Sequence, residues 1–260
     1  MEIIVLLKQV PSTEAMVEVD ESGKAIKTAD INWVISPYDE FAVEEALRIK
    51  EAQGGTVTLL TVGPDKAQEA MRTAMAMGAD QGVLINDPRA VGRDGLATAK
   101  VLSAALKMMN HDVIVAGQRA VDDEGYQVAT AVAELLEIPS VTLVIKAEIA
   151  DGKLRCTRTV EGGTVTLEAP LPALFTTQRG LNEPRYASLP GVMKAKKKPL
   201  EVKTLADLGL EASALDSAKT EVVALNPPPE RTAGRMIEGD TAQAKAEALV
   251  KALHEEAKII

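Results

Sequence analysis

A chain of 260 residues, 46% hydrophobic and 26% charged, is long enough to bury one large core and carries a formal net charge of −9. With aromatics at only 2% it lacks the stacking rings, interleaved with cations, that a single-strand nucleic-acid groove requires, so no nucleic-acid partner is expected. One cysteine, Cys156, allows neither a disulfide framework nor a thiolate cluster, and no run of about eighteen apolar residues occurs; a reducing, cytoplasmic location without membrane insertion is expected.

In chain order, "EIIVLLK" predicts a buried strand, followed by the polar loop "KQVPSTEAM". "SPYDEFAVEEALRIKEA" predicts a helix with a proline in its first turn. "TVTLLTV" is the next strand, closed by the tight turn Val62-Gly63-Pro64. In "PDKAQEAMRTAMAMG" the residues Ala67, Ala70, Met71, Ala74 and Met75 share one helical face, and Gly78 stops it. The strands "GVLIND" and "DVIVAG" flank the amphipathic "GLATAKVLSAALKMMN"; "EGYQVATAVAELLEIP" is a helix stopped by Pro139, and "PALFTTQ" is a further strand. This alternation implies an α/β fold, a doubly wound and mostly parallel sheet with helices on both faces.

From about residue 140 the period changes. "VTLVIKAEIADGKLRCTRTVEGGTVTLEA", with turn signals at Asp151-Gly152 and Gly162-Gly163, predicts an antiparallel meander attached to the sheet. Gln178 to Pro229 is rich in loop signals, Pro227-Pro228-Pro229 among them, and a final helix is expected from about Thr241 to Ala257. Such a tail cannot bury a core of its own and is expected to lie against another surface.

The familiar catalytic devices are missing. There is no G-x-G-x-x-G after the first strand and no P-loop. His111 and His254 have no histidine or cysteine at ligand spacing, so no metal site is expected, and no nucleophile elbow exists. The turn after "DVIVAG", reading "QRAVDDEGYQVATAVAELL", links the carboxyl end of a strand to a helix N-terminus, where ligands bind in doubly wound sheets. It reads two ways: Asp122, Asp123 and Glu124 cap the helix, or they border a ligand site where Gly125 lets the backbone come close. Trp33 and Tyr38 either stack on a planar ligand or cover the core edge. These readings lead to a nucleotide-sized crevice without catalytic apparatus.

One further stretch is unusual in an acidic chain. "LNEPRYASLPGVMKAKKKPL" has four lysines in five positions behind a Leu-Pro-Gly. Extended to "LNEPRYASLPGVMKAKKKPLEV", together with "MRTAMAMGAD", "SPYDEFAVEEALRIKE" and "PPPERTAG", it resembles the β subunit of the electron transfer flavoproteins along nearly the whole chain. The resemblance implies a Rossmann-like base spanning residues 1–180, a partner recognition loop at 181–200 and a C-terminal arm at 201–260 that embraces an α subunit. It implies a structural AMP in this subunit and a redox-active FAD held mainly by the α subunit. By family motif, cofactor contacts fall on Leu6, Tyr38, Val62, Asp122, Asp123, Gly125, Tyr126, Gln127, Val128 and Thr130, Tyr38 being near the flavin ring. Leu189, with Pro190 and Met193, is implied to anchor on an acyl-CoA dehydrogenase or similar flavin dehydrogenase, while Lys194, Lys196, Lys197 and Lys198 steer encounter with an acidic partner surface. Electrons would pass towards a quinone reductase at the membrane, and the chain would be a carrier subunit and no enzyme by itself.

Two alternatives stand beside this. Electron-bifurcating relatives hold a second FAD, which accepts hydride from NADH, with the run "DGDTAQVG". This chain reads "DDEGYQVA", where Asp123 replaces a glycine and Tyr126 a small residue, which favours AMP. A stand-alone adenine-nucleotide sensor would need neither the leucine segment nor the tail.

Overall fold

Alternation along β1 (Glu2–Leu6) separates two cores. Ile3 and Val5 point to one face of the sheet and Ile4 and Leu6 to the other, and all four are buried. The computed structural model describes residues 1–215, 220–229 and 233–260, divided into two compact units, 1–224 and 225–260.

In the first unit, a small antiparallel ribbon of β2 (Gln9–Pro11) and β3 (Trp33–Ile35) follows β1. Further strands are β4 (Thr56–Val62), β5 (Gln81–Ile85), β6 (Val113–Gly117), β7 (Ser140–Ala150), β8 (Lys153–Val160), β9 (Gly163–Pro170), β10 (Ala173–Thr177) and β11 (Leu200–Lys203). Nine strands form one sheet in the order β11-β5-β4-β1-β6-β10-β7-β8-β9. Every pairing from β11 to β7 is parallel, and β8 and β9 extend the sheet as an antiparallel meander. Helices α1 (Pro37–Gln53) and α2 (Ala67–Met77) bury Val43, Leu47, Met71 and Met75 against the Ile3 face. Helices α3 (Gly95–Lys107) and α4 (Val128–Leu136) bury Leu102, Leu106 and Val132 against the Ile4 face. The expected doubly wound fold is therefore present. Its winding direction reverses between the neighbours β1 and β6, whose carboxyl ends open the crevice where such sheets bind ligands.

Three local expectations change. Helix α4 starts at Val128, not near Glu124, because Glu124 and Tyr126 adopt left-handed φ values of 47° and 55° that no helix accommodates. The second meander turn is Glu161-Gly162, with Gly163 already in β9, whereas the first is Asp151-Gly152 with φ of 51° and 71°, as a type I′ turn demands. Finally, residue 201 is no boundary. β11 pairs with β5 at the sheet edge, and Leu205, Leu208 and Leu215 are buried against the α3 side. Four residues with half their side chains in solvent carry too little pattern to announce a strand.

In the second unit, α6 (Ala242–Lys251) is capped by Thr241, whose Oγ1 accepts from the Ala244 N–H at 3.1 Å, and the chain runs on as a π-helical turn at Ala252–Glu256. Of the stretch "PPPERTAG", Glu230, Arg231 and Thr232 lie outside the described residues. Cys156 sits inside β8, where burial pushes its thiol up to about 12 and leaves it unreactive. Among the described residues no helix is long and apolar enough to cross a membrane.

Candidate functional site

The crevice between the ends of β1 and β6 is bridged by a carboxylate that the sequence reading did not name. Asp39, in the first turn of α1, accepts the Lys8 backbone N–H at 2.7 Å and the Gly117 N–H at 3.0 Å, one donor from the end of each strand. Burial pushes its carboxyl up to about 7, against the pull of the two N–H donors. Gly117 is required here, because a Cβ would collide with the Asp39 carboxylate and the Tyr38 backbone. Thr177 completes the junction by donating its hydroxyl to the Tyr38 carbonyl at 2.8 Å.

The acidic turn closes over this junction through two cations. Lys8 Nζ sits 2.9 Å from Asp122 and 3.0 Å from Asp123. Burial opposes its ammonium, but the two carboxylates outweigh it and hold the pKa above the ordinary lysine value. Arg119 lies between two rings, its guanidinium 5.1 Å from the centroids of both Tyr38 and Tyr126. It donates to both phenolic oxygens and is 3.3 Å from Glu124. One arginine thus ties the start of α1 to the strained turn at Glu124 and Tyr126. The Asp123 carboxylate also accepts from the Gly125 N–H at 3.1 Å.

Of the ten expected contact residues, the structure gathers Tyr38, Asp122, Asp123, Gly125, Tyr126 and Gln127 around the turn. Tyr126, Gln127 and Thr130, with Leu96 and Ala131, line an open depression on the surface beside the turn. Leu6 is buried in the sheet core, so only its backbone is available at the rim, and Val62 is a partly buried strand end facing β5. Val128 packs against the α3 and α4 core. Thr130 donates its hydroxyl to the Gln127 carbonyl at 3.0 Å. A Cβ on Gly125 would meet only ordinary contacts, so this glycine is not demanded by the protein's own packing. Trp33 lies in the β2–β3 ribbon, its indole N–H buried without a protein partner.

Sequence reasoning missed Lys8, Asp39 and Arg119. The signal for them is positional: Lys8 follows β1, Arg119 follows β6, and Asp39 is the acid in the helix turn facing both. Four buried polar atoms without a protein partner, Ser36 Oγ, Thr61 Oγ1, Gln118 Oε1 and Arg119 Nε, belong to residues at or next to these strand ends and the α1 N-terminus. An adenine nucleotide fits such a donor set. Lys8, Arg119 and the first N–H groups of α4 suit a phosphate, and the carboxylates of Asp122 and Asp123 suit ribose hydroxyls.

Residues 181–200 form no simple loop. Asn182 is buried, donating to the Phe41 carbonyl at 3.0 Å and to Glu45 at 2.9 Å. Arg185 grips the buried Glu44 at 2.7 Å and Glu51 at 2.6 Å. There follows a short helix, α5 (Leu189–Ala195), whose N-cap Ser188 accepts the Gly191 N–H. Leu189 is 84% exposed and Met193 67%; Tyr186 and Val192 are exposed beside them. Lys194, Lys196 and Lys197 point to solvent. Lys198 turns inward, its Nζ 3.0 Å from the Met75 carbonyl and 2.6 Å from that of Ala79, so it is no free cation.

A family described as the electron transfer flavoprotein domain matches residues 24–208. The chain is 43% identical to a Bacillus subtilis protein named electron transfer flavoprotein subunit beta, over 100% of both chains. It is 42% identical to a protein of the same name from Syntrophomonas wolfei, over 92% of this chain and 91% of that one. With the protein named caffeyl-CoA reductase-Etf complex subunit CarD from Acetobacterium woodii it shares 37% identity over 98% of each.

Proposed function

Since the chain belongs to the electron transfer flavoprotein family as a β subunit, with a role in electron transfer, we propose that it is the carrier type, pairing with an α subunit and holding one structural AMP in the crevice. Redox FAD is carried mainly by the α subunit, with Tyr38 towards the flavin. Electrons enter in the cytoplasm from an acyl-CoA dehydrogenase or similar flavin dehydrogenase and leave towards a quinone reductase at the membrane. The observation that carries this reading is the stack of Tyr38, Arg119 and Tyr126. We read this stack as the chain's own side chains taking up room beside the acidic turn, which favours the smaller cofactor.

When bound, the flavin supplies the redox chemistry. This chain supplies position and charge. Lys8, paired with Asp122 and Asp123, fixes the turn over the crevice, and Asp39 locks the ends of β1 and β6 beneath it. On the partner side, Leu189 presents one large apolar side chain on a short helix. Burying it contributes about 1.5–3 kcal/mol, which suits a weak, quickly exchanging complex.

The test is denaturing release of small molecules from the purified αβ complex, with FAD and AMP counted per heterodimer. One FAD and one AMP are expected. Two FAD and no AMP, together with direct reduction by NADH, would overturn the reading and make this the bifurcating type.

A further inference from the structure

The contacts beneath α5 are reciprocal. Arg72, on α2, donates from one guanidinium nitrogen to the carbonyls of Ala195 and Lys198, both at 2.7 Å, at the C-terminal end of α5. Lys198, just beyond α5, donates to the Met75 and Ala79 carbonyls at the C-terminal end of α2. Each helix thus sends a cation to the end of the other where unpaired carbonyls and the negative end of the dipole gather. Between these two contacts the helices touch directly. A Cβ on Gly191 would collide with the Ala76 carbonyl oxygen, and Ala195 is buried at 2% exposure in the core that α2 shares.

We propose that Arg72 and Lys198 are positioning residues for partner docking: their reciprocal capping fixes the axis of α5, so that Leu189 and Met193 meet the partner in a pre-set orientation. The inference rests on the reading of α5 as the partner surface. It gives Lys198 a task different from that of its three neighbours, since its charge faces carbonyls and theirs face water. It also gives the platform a physical reason to be rigid. A single leucine anchor yields little binding free energy, and disorder in the helix that bears it would subtract from that.

The experiment uses the αβ complex with Arg72→Gln, Lys198→Met, both together, and Leu189→Ala. Two quantities are read: amide hydrogen exchange over residues 189–195, and the half-saturation for reduction of the complex by an acyl-CoA dehydrogenase charged with its acyl-CoA substrate. Losing two charge-assisted bonds should speed α5 exchange about tenfold or more in either clamp variant and leave it unchanged in Leu189→Ala. Half-saturation should rise several-fold in the clamp variants, about threefold or more, with the saturating rate and flavin content kept. Lys198→Arg should restore part of the loss. The double variant should be less impaired than the product of the two singles, because each breaks the same clamp. Unchanged α5 exchange would overturn the clamp; faster exchange with normal half-saturation would overturn its role in docking. If Leu189→Ala couples normally, α5 is not the partner surface and the docking half of the inference falls, while the exchange data judge the clamp separately. Where a variant folds poorly, Arg72→Lys, which keeps the cation but not the guanidinium's geometry, gives the same comparison on a milder scale.

Discussion

The crevice at the ends of β1 and β6 and the mount that carries α5 are both built from charged groups, but they are finished to different degrees. Around the mount, the guanidinium of Arg185 meets the buried carboxylate of Glu44, Arg72 and Lys198 cover backbone carbonyls, and Asn182 ties the approach segment to α1 through its amide N–H groups while its buried Oδ1 keeps no partner among the described residues. Around the crevice, charges pair across a turn whose Glu124 and Tyr126 have left-handed backbone, and Ser36, Thr61, Gln118 and Arg119 each keep a buried polar atom without a protein partner. The contrast is what two kinds of binding require. On the reading proposed above, a mount for a transient partner needs most of its groups paired before the partner arrives, whereas a crevice for a resident ligand leaves more of them for the ligand to satisfy. Helix α1 joins the two: Tyr38 and Asp39 at its N-terminus serve the crevice, and Glu44, Glu45 and Glu51 along its length hold the mount.

The largest effect is expected on the mount. Arg185→Ala strips the buried Glu44, only 3% exposed, of one of its two arginines and leaves Arg48 alone at 2.8 Å. Taking this partly exposed guanidinium from a buried carboxylate should lower the unfolding free energy by about 2–3 kcal/mol, read as a shift of the urea midpoint. A loss below a few tenths of a kcal/mol would mean that Glu44 is more hydrated than its burial implies.

The crevice should show itself by titration. A carboxyl held up to about 7 in the fold and near its ordinary value of about 3.9 when unfolded contributes stability that is fully present below about pH 4 and lost as pH rises through about 7. Asp39→Asn removes that group, so the stability advantage of the native chain over the variant should shrink by about 2 kcal/mol between pH 5 and pH 8. Urea unfolding at the two pH values measures it. An advantage that grows with pH would show the N–H groups of Lys8 and Gly117 to prevail over burial, with Asp39 charged throughout.

Arg119→Ala should come next in size. The two ring contacts and the bonds to Tyr38 and Tyr126 vanish together, which releases the acidic turn; nucleotide release from the complex should quicken about tenfold while the urea midpoint moves little. An unchanged release rate would relieve Arg119 of any part in holding the crevice closed.

How much of this could be read beforehand depended on range. The strands and helices repeat their signal over several turns, so the doubly wound sheet was legible from "EIIVLLK", "TVTLLTV" and the alanine-methionine stripe of α2. The acidic turn was legible as a place, because it joins a strand end to a helix. Its chemistry was not, since Asp39 and Arg119 are 80 positions apart and meet the same rim only after the sheet winds both ways from β1. Helix α4 was begun too early because Glu and Tyr are acceptable helix residues individually, and only φ at Glu124 and Tyr126 excludes them. The lysine run was legible as charge, but its division into outward and inward members follows from Ala195 being the buried residue of α5, which turns Lys198 onto α2.

That division sets the smallest and most discriminating prediction. On the proposed reading Lys194, Lys196 and Lys197 act on a partner through water, so their effect should decay with the Debye length, about 10 Å at 0.1 M salt and 3 Å at 1 M. Replacing these three by Gln should slow electron transfer from the dehydrogenase about threefold at low ionic strength and leave it almost unaltered in high salt. Lys198 acts on two carbonyls at 3.0 and 2.6 Å in a part-buried contact, where salt screens much less than across open water. Lys198→Gln should therefore give a defect of similar size at every salt concentration, so the two variants, each lacking lysine charge from one short run, should have salt profiles of different slope. Parallel profiles would mean that Lys198 serves the partner through its charge as its neighbours do, and that α5 is held by Arg72 and the contact at Gly191 without it.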